Sequence, residues 1–169
     1  MIRHYNKLIR DRRAEAISLA GSRAVTRTIS DTDFRHSLLM KLVEETQEFL
    51  NGKKLEEEAD IQEVLLKART VYGYSAEDVE LALKENAEDS TFGRLELSAY
   101  TLNYLQKPAA NTEAAIQAAL TLARAEAGYT TDDVERTRIN KLAQFGAFDL
   151  GVYLEYTETN FKTVQDTEE

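Results

Sequence analysis

EADIQEVLLKARTVYGYSAEDVE, residues 58–80, returns 55 positions later, without a gap, as EAAIQAALTLARAEAGYTTDDVE, residues 113–135. Twelve of the 23 positions are identical, where residue types matched at average frequencies would coincide at about one or two. The punctuation recurs as well. Gly73-Tyr74 becomes Gly128-Tyr129, and the Ser75/Asp78 capping pattern becomes Thr130/Asp133. Upstream, Leu42, Thr46 and Leu50 meet Leu97, Thr101 and Leu105. This is an internal duplication. A period present only twice predicts a two-fold pseudo-symmetric helical assembly rather than a solenoid.

Around the repeat, the composition favours helices. The 169 residues are rich in Ala, Leu and Glu, with one proline and seven glycines. Residues 5–20 read as a short amphipathic helix on Leu8, Ala16, Ile17 and Ala20, and 21–33 as a polar connector with a short extended piece. SLLMKLVEETQEFL (37–50) is strongly helical and ends at Asn51-Gly52; a second helix runs from about 54 to Gly73, and a third opens at Ser75. The resulting organisation is an N-terminal helix and connector (1–35), a first repeat (36–92), a second repeat (93–156) and a polar, frayed tail (157–169).

A formal charge of -9 argues against a surface that wraps a nucleic acid polymer or docks on anionic lipid. A nucleotide substrate stays open, because a divalent cation can bridge acidic protein to phosphate. The absence of cysteine rules out disulfides and thiolate metal sites and suits a reducing compartment. MIRHYNKLIRDRR has no apolar signal-like core, and no apolar run is long enough for a bilayer. A cytoplasmic protein without membrane partners is expected.

Helical residues advance by about 100° each, which places every acid relative to its apolar stripe. On the second helix the stripe is Ile61, Val64, Leu65 and Ala68. Glu57 and Asp60 lie on or beside it, whereas Glu56, Glu58 and Glu63 are expected to face solvent. On the preceding helix Leu38, Leu42 and Phe49 mark the inner side; Glu45 stands at its edge, Glu48 on its flank, and Glu44 further out. Charge runs on helices are usually solvated faces. Here, however, two inward i, i+3 pairs, Glu45/Glu48 and Glu57/Asp60, fall on consecutive helices. Four converging carboxylates repel one another unless a cation neutralises them, and hard oxygen ligands suit Mg²⁺ or Mn²⁺. In the second repeat the same positions are Tyr100, Asn103, Thr112 and Ala115. The helices persist without the acids, so folding does not require them.

Glu44-Glu45-Thr46-Gln47-Glu48 followed by Glu57-Glu58-Ala59-Asp60 resembles the acid motif of the all-α MazG-like nucleoside triphosphate pyrophosphohydrolases. YNKLIRDRR resembles the opening of their phosphoribosyl-ATP pyrophosphohydrolase-like branch, and Arg138, Lys141, Gly146 and Phe148 resemble a third family element. The resemblance implies an all-α helical bundle of two fused repeats and Mg²⁺-dependent hydrolysis of a nucleoside triphosphate to monophosphate and pyrophosphate. By position, Glu45, Glu48, Glu57 and Asp60 become metal ligands, with Mn²⁺ an alternative ion, and Glu44 a base or a supporting group. Lys7, Arg10, Arg138 and Lys141 become candidates for phosphate contacts, although each taken singly reads more readily as a surface ion pair. Relatives form dimers or tetramers, so the fused chain is expected to mimic one dimer and to pair again as a homodimer.

The two repeats depart from the family in complementary ways. The first keeps the acids but loses the basic and glycine positions in KENAEDSTFGR (84–94); the second keeps Arg138 and Lys141 but has lost the acids. The expectation is one composite site per chain. Phosphoribosyl-ATP hydrolysis and a non-catalytic nucleotide-binding role are the competing readings. Tyr72, Tyr74, Phe92 and Tyr104 read as core aromatics before base-stacking groups, and His4 and His36 as surface or capping residues.

Overall fold

The computed structural model describes residues 1–52, 54–86 and 96–159. They form two compact units, one of Met1–Phe34 with Gln144–Glu169 and one of Arg35–Ala143. The described chain is mostly helical, as the composition predicts, with a small sheet that it does not.

The first unit holds that sheet. Strand β1 (Ile2–Leu8) and strand β2 (Ser22–Thr28) both pair antiparallel with β3 (Val152–Thr159), which lies between them. Register runs from Ile2 opposite Glu158 to Leu8 opposite Tyr153, and from Ser22 opposite Thr159 to Thr28 opposite Val152. The helix expected over residues 5–20 is therefore corrected. Tyr5–Leu8 are strand, and helix α1 covers only Arg13–Leu19 and buries nothing. The physical reason is that the partner of β1 lies at the far end of the chain, where no local pattern can announce it. Asn6, with φ 51°, sits at a register shift between His4 and Lys7, a left-handed position that Asn tolerates. The extended piece expected in 21–33 is β2. The last strand continues to Thr159, past the point where fraying was expected.

Within this unit the basic opening and the Gly-Phe element are tied together. Arg10, 6 % exposed, donates from Nη1 to the Gly146 carbonyl at 3.2 Å and lies 5.5 Å over the Phe148 ring. Asp11 accepts from the backbone N–H groups of Asp149 and Leu150, each at 3.0 Å. Gly146, at φ 77°, makes the turn between them.

The second unit carries the repeat. Helices α2 (Asp31–Gly52), α3 (Leu55–Tyr72) and α4 (Ala76–Asn86) are echoed by α5 (Leu97–Gln106), α6 (Ala110–Ala127) and α7 (Thr131–Phe145). Buried positions match across the 55-residue shift: Leu42 with Leu97, Phe49 with Tyr104, Ile61 with Ile116, Leu65 with Leu120, Val79 with Val134. Both central helices end on a left-handed glycine, Gly73 at φ 77° and Gly128 at φ 83°, each donating to an arginine carbonyl four residues back. The next helix in each repeat is opened by the same reciprocal cap, Ser75 with Asp78 and Thr130 with Asp133.

The repeats meet through pairs that a two-fold axis would generate. Thr46 and Thr101 hydroxyls stand 3.4 Å apart, and the Gln62 and Gln117 amides bond each other in both directions at 2.8 Å. Arg69 grips Glu113, with its shortest bond at 2.5 Å, and Arg124 grips Glu58 at 2.8 and 2.5 Å. Residue i meets j+55 while i+55 meets j, the signature of a self-complementary interface. This corrects the solvent-facing assignment of Glu58 and Glu63. Glu58 is fully buried, and Glu63, 4 % exposed, takes Arg138 Nη1 at 2.6 Å. These acids do lie off the Ile61, Val64, Leu65 and Ala68 stripe, but they pair with arginines of the other repeat.

Candidate metal centre

Two helices bring the candidate ligands together. The long α2 presents Glu44, Glu45 and Glu48, and the first two turns of α3 present Glu57 and Asp60. One carboxylate oxygen from each of Glu45, Glu57 and Asp60 lies within 4.8 Å of the others, and the same holds for Glu44, Glu45 and Glu48. Glu45 belongs to both groups. It is 3 % exposed, whereas Glu48 is exposed and Glu44, Glu57 and Asp60 are half-buried. The arrangement is graded, with one deep carboxylate and four around its mouth.

Glu45 Oε1 accepts from Lys41 Nζ at 2.6 Å, while Oε2 is buried with no hydrogen-bond partner among the described residues. Burial pushes the Glu45 carboxyl up to about 7; Lys41 works against the shift, and the charges of Asp60 and Glu48 add to it. Glu57 is also raised, by burial first and by Glu48 second. Lys41 is raised: burial opposes its charge, but Glu45 and Glu44 outweigh burial.

Lys41 is a member of the site that the motif did not contain. Its signal in the sequence is its position four residues before Glu45, on the same helix face. From the second repeat, Lys141 donates to Asp60 Oδ2 and, at 3.3 Å, to the Glu56 carbonyl. Arg138 is held by Glu63 and by Glu135, the latter through Nε and Nη2 at 2.8 and 2.7 Å. Lys7 and Arg10 belong to the sheet unit, where Lys7 lies 5.7 Å over the Tyr5 ring.

A buried, unpaired carboxylate oxygen among hard oxygen donors fits a small divalent cation. The positions in the second repeat do not. Tyr100 donates to Glu96, Thr112 closes the start of α6 by bonding to Ala109, and the described residues offer no acidic group there that could hold an ion.

The aromatics serve packing. Tyr104 is fully buried with its hydroxyl 2.6 Å from that of Tyr74, and Arg35 lies 5.7 Å over Tyr72; Phe92 falls outside the described residues. His4 packs on Tyr156, with ring centroids 5.6 Å apart, and His36 is exposed. Among the described residues no helix is long and apolar enough to cross a membrane. Comparison with protein-family models, with curated proteins and with solved structures gives no match to this chain.

Proposed function

We propose that this chain is a Mg²⁺-dependent pyrophosphohydrolase that cleaves a nucleoside triphosphate to the monophosphate and pyrophosphate. The observation that carries the reading is Glu45 Oε2, buried and unpartnered where two carboxylate groups join. Glu45, Glu48, Glu57 and Asp60 would hold the ion. A divalent cation bound there supplies charge against phosphate oxygens and lowers the pKa of a bound water. Glu44, beside Glu45 at the half-exposed rim, would take a proton from attacking water. Lys141, bonded to Asp60, carries a positive charge that can turn to an incoming phosphate. Arg138 is committed to Glu63 and Glu135 and acts by fixing α7, which carries Lys141. Since only the first repeat carries the acids, each chain makes one such centre.

Pyrophosphate release from a panel of canonical and modified triphosphates, with phosphoribosyl-ATP included, tests the reading. Release is expected with Mg²⁺ and not with EDTA, and Asp60→Asn should lower turnover by about a hundredfold or more. No release from any substrate with any divalent ion overturns the enzymatic reading. A nucleotide-dependent rise in melting temperature without release would point to a binding protein.

A further inference from the structure

A cavity of about 530 Å³ lies between α3, α4, α6 and α7 of the helical unit. On α3 it is lined by Gln62, Leu66 and Arg69, about half a turn of the helical wheel away from Glu57 and Asp60. It is therefore not the acid cluster. Every lining residue has a counterpart on the lining 55 positions away, so the cavity straddles the pseudo-two-fold axis.

Three of these pairs have diverged: Leu66 against Thr121, Ala76 against Thr131, and Leu83 against Arg138. In the second-repeat half the polar members close internal bonds. Thr131 accepts from Arg124 Nη1 at 2.7 Å, and Arg138 satisfies Glu135. Ala76 and Leu83 can do neither in the first-repeat half. Among the described residues, Arg69 spends Nε and Nη2 on Glu113 and has no acceptor at Nη1, and the Glu80 carboxylate has no partner. A half-buried donor on Arg69 and a solvent-exposed acceptor on Glu80 are thus left at the edge of the lining, beside the apolar side chains of Leu66 and Leu83.

The charge balance excludes an anionic ligand. Arg69 is already neutralised by the fully buried Glu113, so its remaining N–H edge calls for a neutral acceptor rather than an anion. Glu80, exposed at the cavity edge, can accept from an N–H. A single ligand that also accepts from Arg69 must carry both groups, and an amide meets both where a simple amine meets one. On the axis, the closed Gln62–Gln117 amide pair offers a flat surface. We propose that this cavity is a second ligand site, separate from the acid cluster, for a neutral cyclic amide. Its carbonyl accepts from Arg69, its N–H donates to Glu80, and its apolar edge packs on Leu66 and Leu83.

Chemical-shift titration of the full chain with 2-piperidone and with uracil tests this, with cyclohexanecarboxylate and cyclohexylamine as the charged comparisons. Saturating shifts are expected at Leu66, Arg69, Glu80 and Leu83 with the cyclic amides, and they persist in Glu45→Gln. The double variant Ala76→Thr/Leu83→Arg copies the second repeat's own residues and supplies both missing partners. It should weaken amide binding by about tenfold or more. Should that variant lose its fold, Glu80→Ala on the exposed face of α4 gives the same readout. The proposal is overturned if no cyclic amide shifts these residues, if only the carboxylate or only the amine binds, or if the folded variants bind the amides as wild type does.

Discussion

Glu45 and Glu58 are both buried carboxylates, 3 % and 0 % exposed, yet the charges around them differ. Each has a buried Oε2 with no hydrogen-bond partner among the described residues, but Glu58 faces a guanidinium through two bonds to Oε1, whereas Glu45 has one lysine and lies among further carboxylates. Glu45→Gln removes a poorly compensated buried charge while keeping an acceptor for Lys41. The metal-free variant should therefore melt at or above the wild-type temperature and lack the rise expected of the wild type with Mg²⁺, both read by thermal denaturation with and without the ion. Glu58→Gln should do the opposite. It strands Arg124 in the interior and costs about 3 kcal/mol in urea denaturation, with no effect specific to metal. The inward lean of Glu45, Glu57 and Asp60 was legible from helical periodicity against one stripe. The burial of Glu58 and Glu63 was not, because the neighbour that covers them lies in the other repeat.

Helix ends are where local chemistry speaks most directly. Gly73 and Gly128 have φ of 77° and 83°, with nothing within 4 Å of an added Cβ, so substitution meets only the backbone penalty. Gly73→Ala and Gly128→Ala should each cost about 1 kcal/mol by chemical denaturation. The caps that follow depend on pH. Bonds from Ser75 and Thr130 hold the Asp78 and Asp133 carboxyls below their usual value of 3.8. A depressed carboxylate stabilises the fold above its unfolded value and loses that contribution as pH falls through the folded one. An Asp78→Asn/Asp133→Asn variant should thus melt below wild type at pH 6, and the gap should close below about pH 4. At the start of α5 the Lys41/Glu45 contact of α2 has its counterpart in Glu96 with Tyr100, four residues apart again but without the acid cluster of the first repeat. The ends of α2 and α3 and the start of α4 could be read from spacing and punctuation. Strand β1 could not, since Leu8 and Ile9 look alike as helix or strand until β3 supplies the backbone partner.

At the scale of the whole molecule, the duplication makes the helical unit a dimer interface within one chain. The two ion pairs, Arg69–Glu113 and Arg124–Glu58, are the same contact seen twice. Double-mutant cycles on each pair should return similar coupling energies of about 1–3 kcal/mol, with the two cycles read separately by denaturant titration. Unequal couplings would show that the halves have diverged in energy as well as in the residues around the cavity. The sequence by itself determined the helical character, the repeat and its register, the helix boundaries near the glycines, and which four acids the second repeat gave up. All of these follow from periodicity and from comparing the chain with itself. The tertiary structure alone decided that residues 2–8, 22–28 and 152–159 form a sheet, that Arg10 locks onto Gly146, that Glu58 is interior, and that a cavity straddles the pseudo-axis. Each of these depends on which distant segment arrives as a neighbour. Backbone pairing, burial and charge compensation are properties of neighbours rather than of the residue itself.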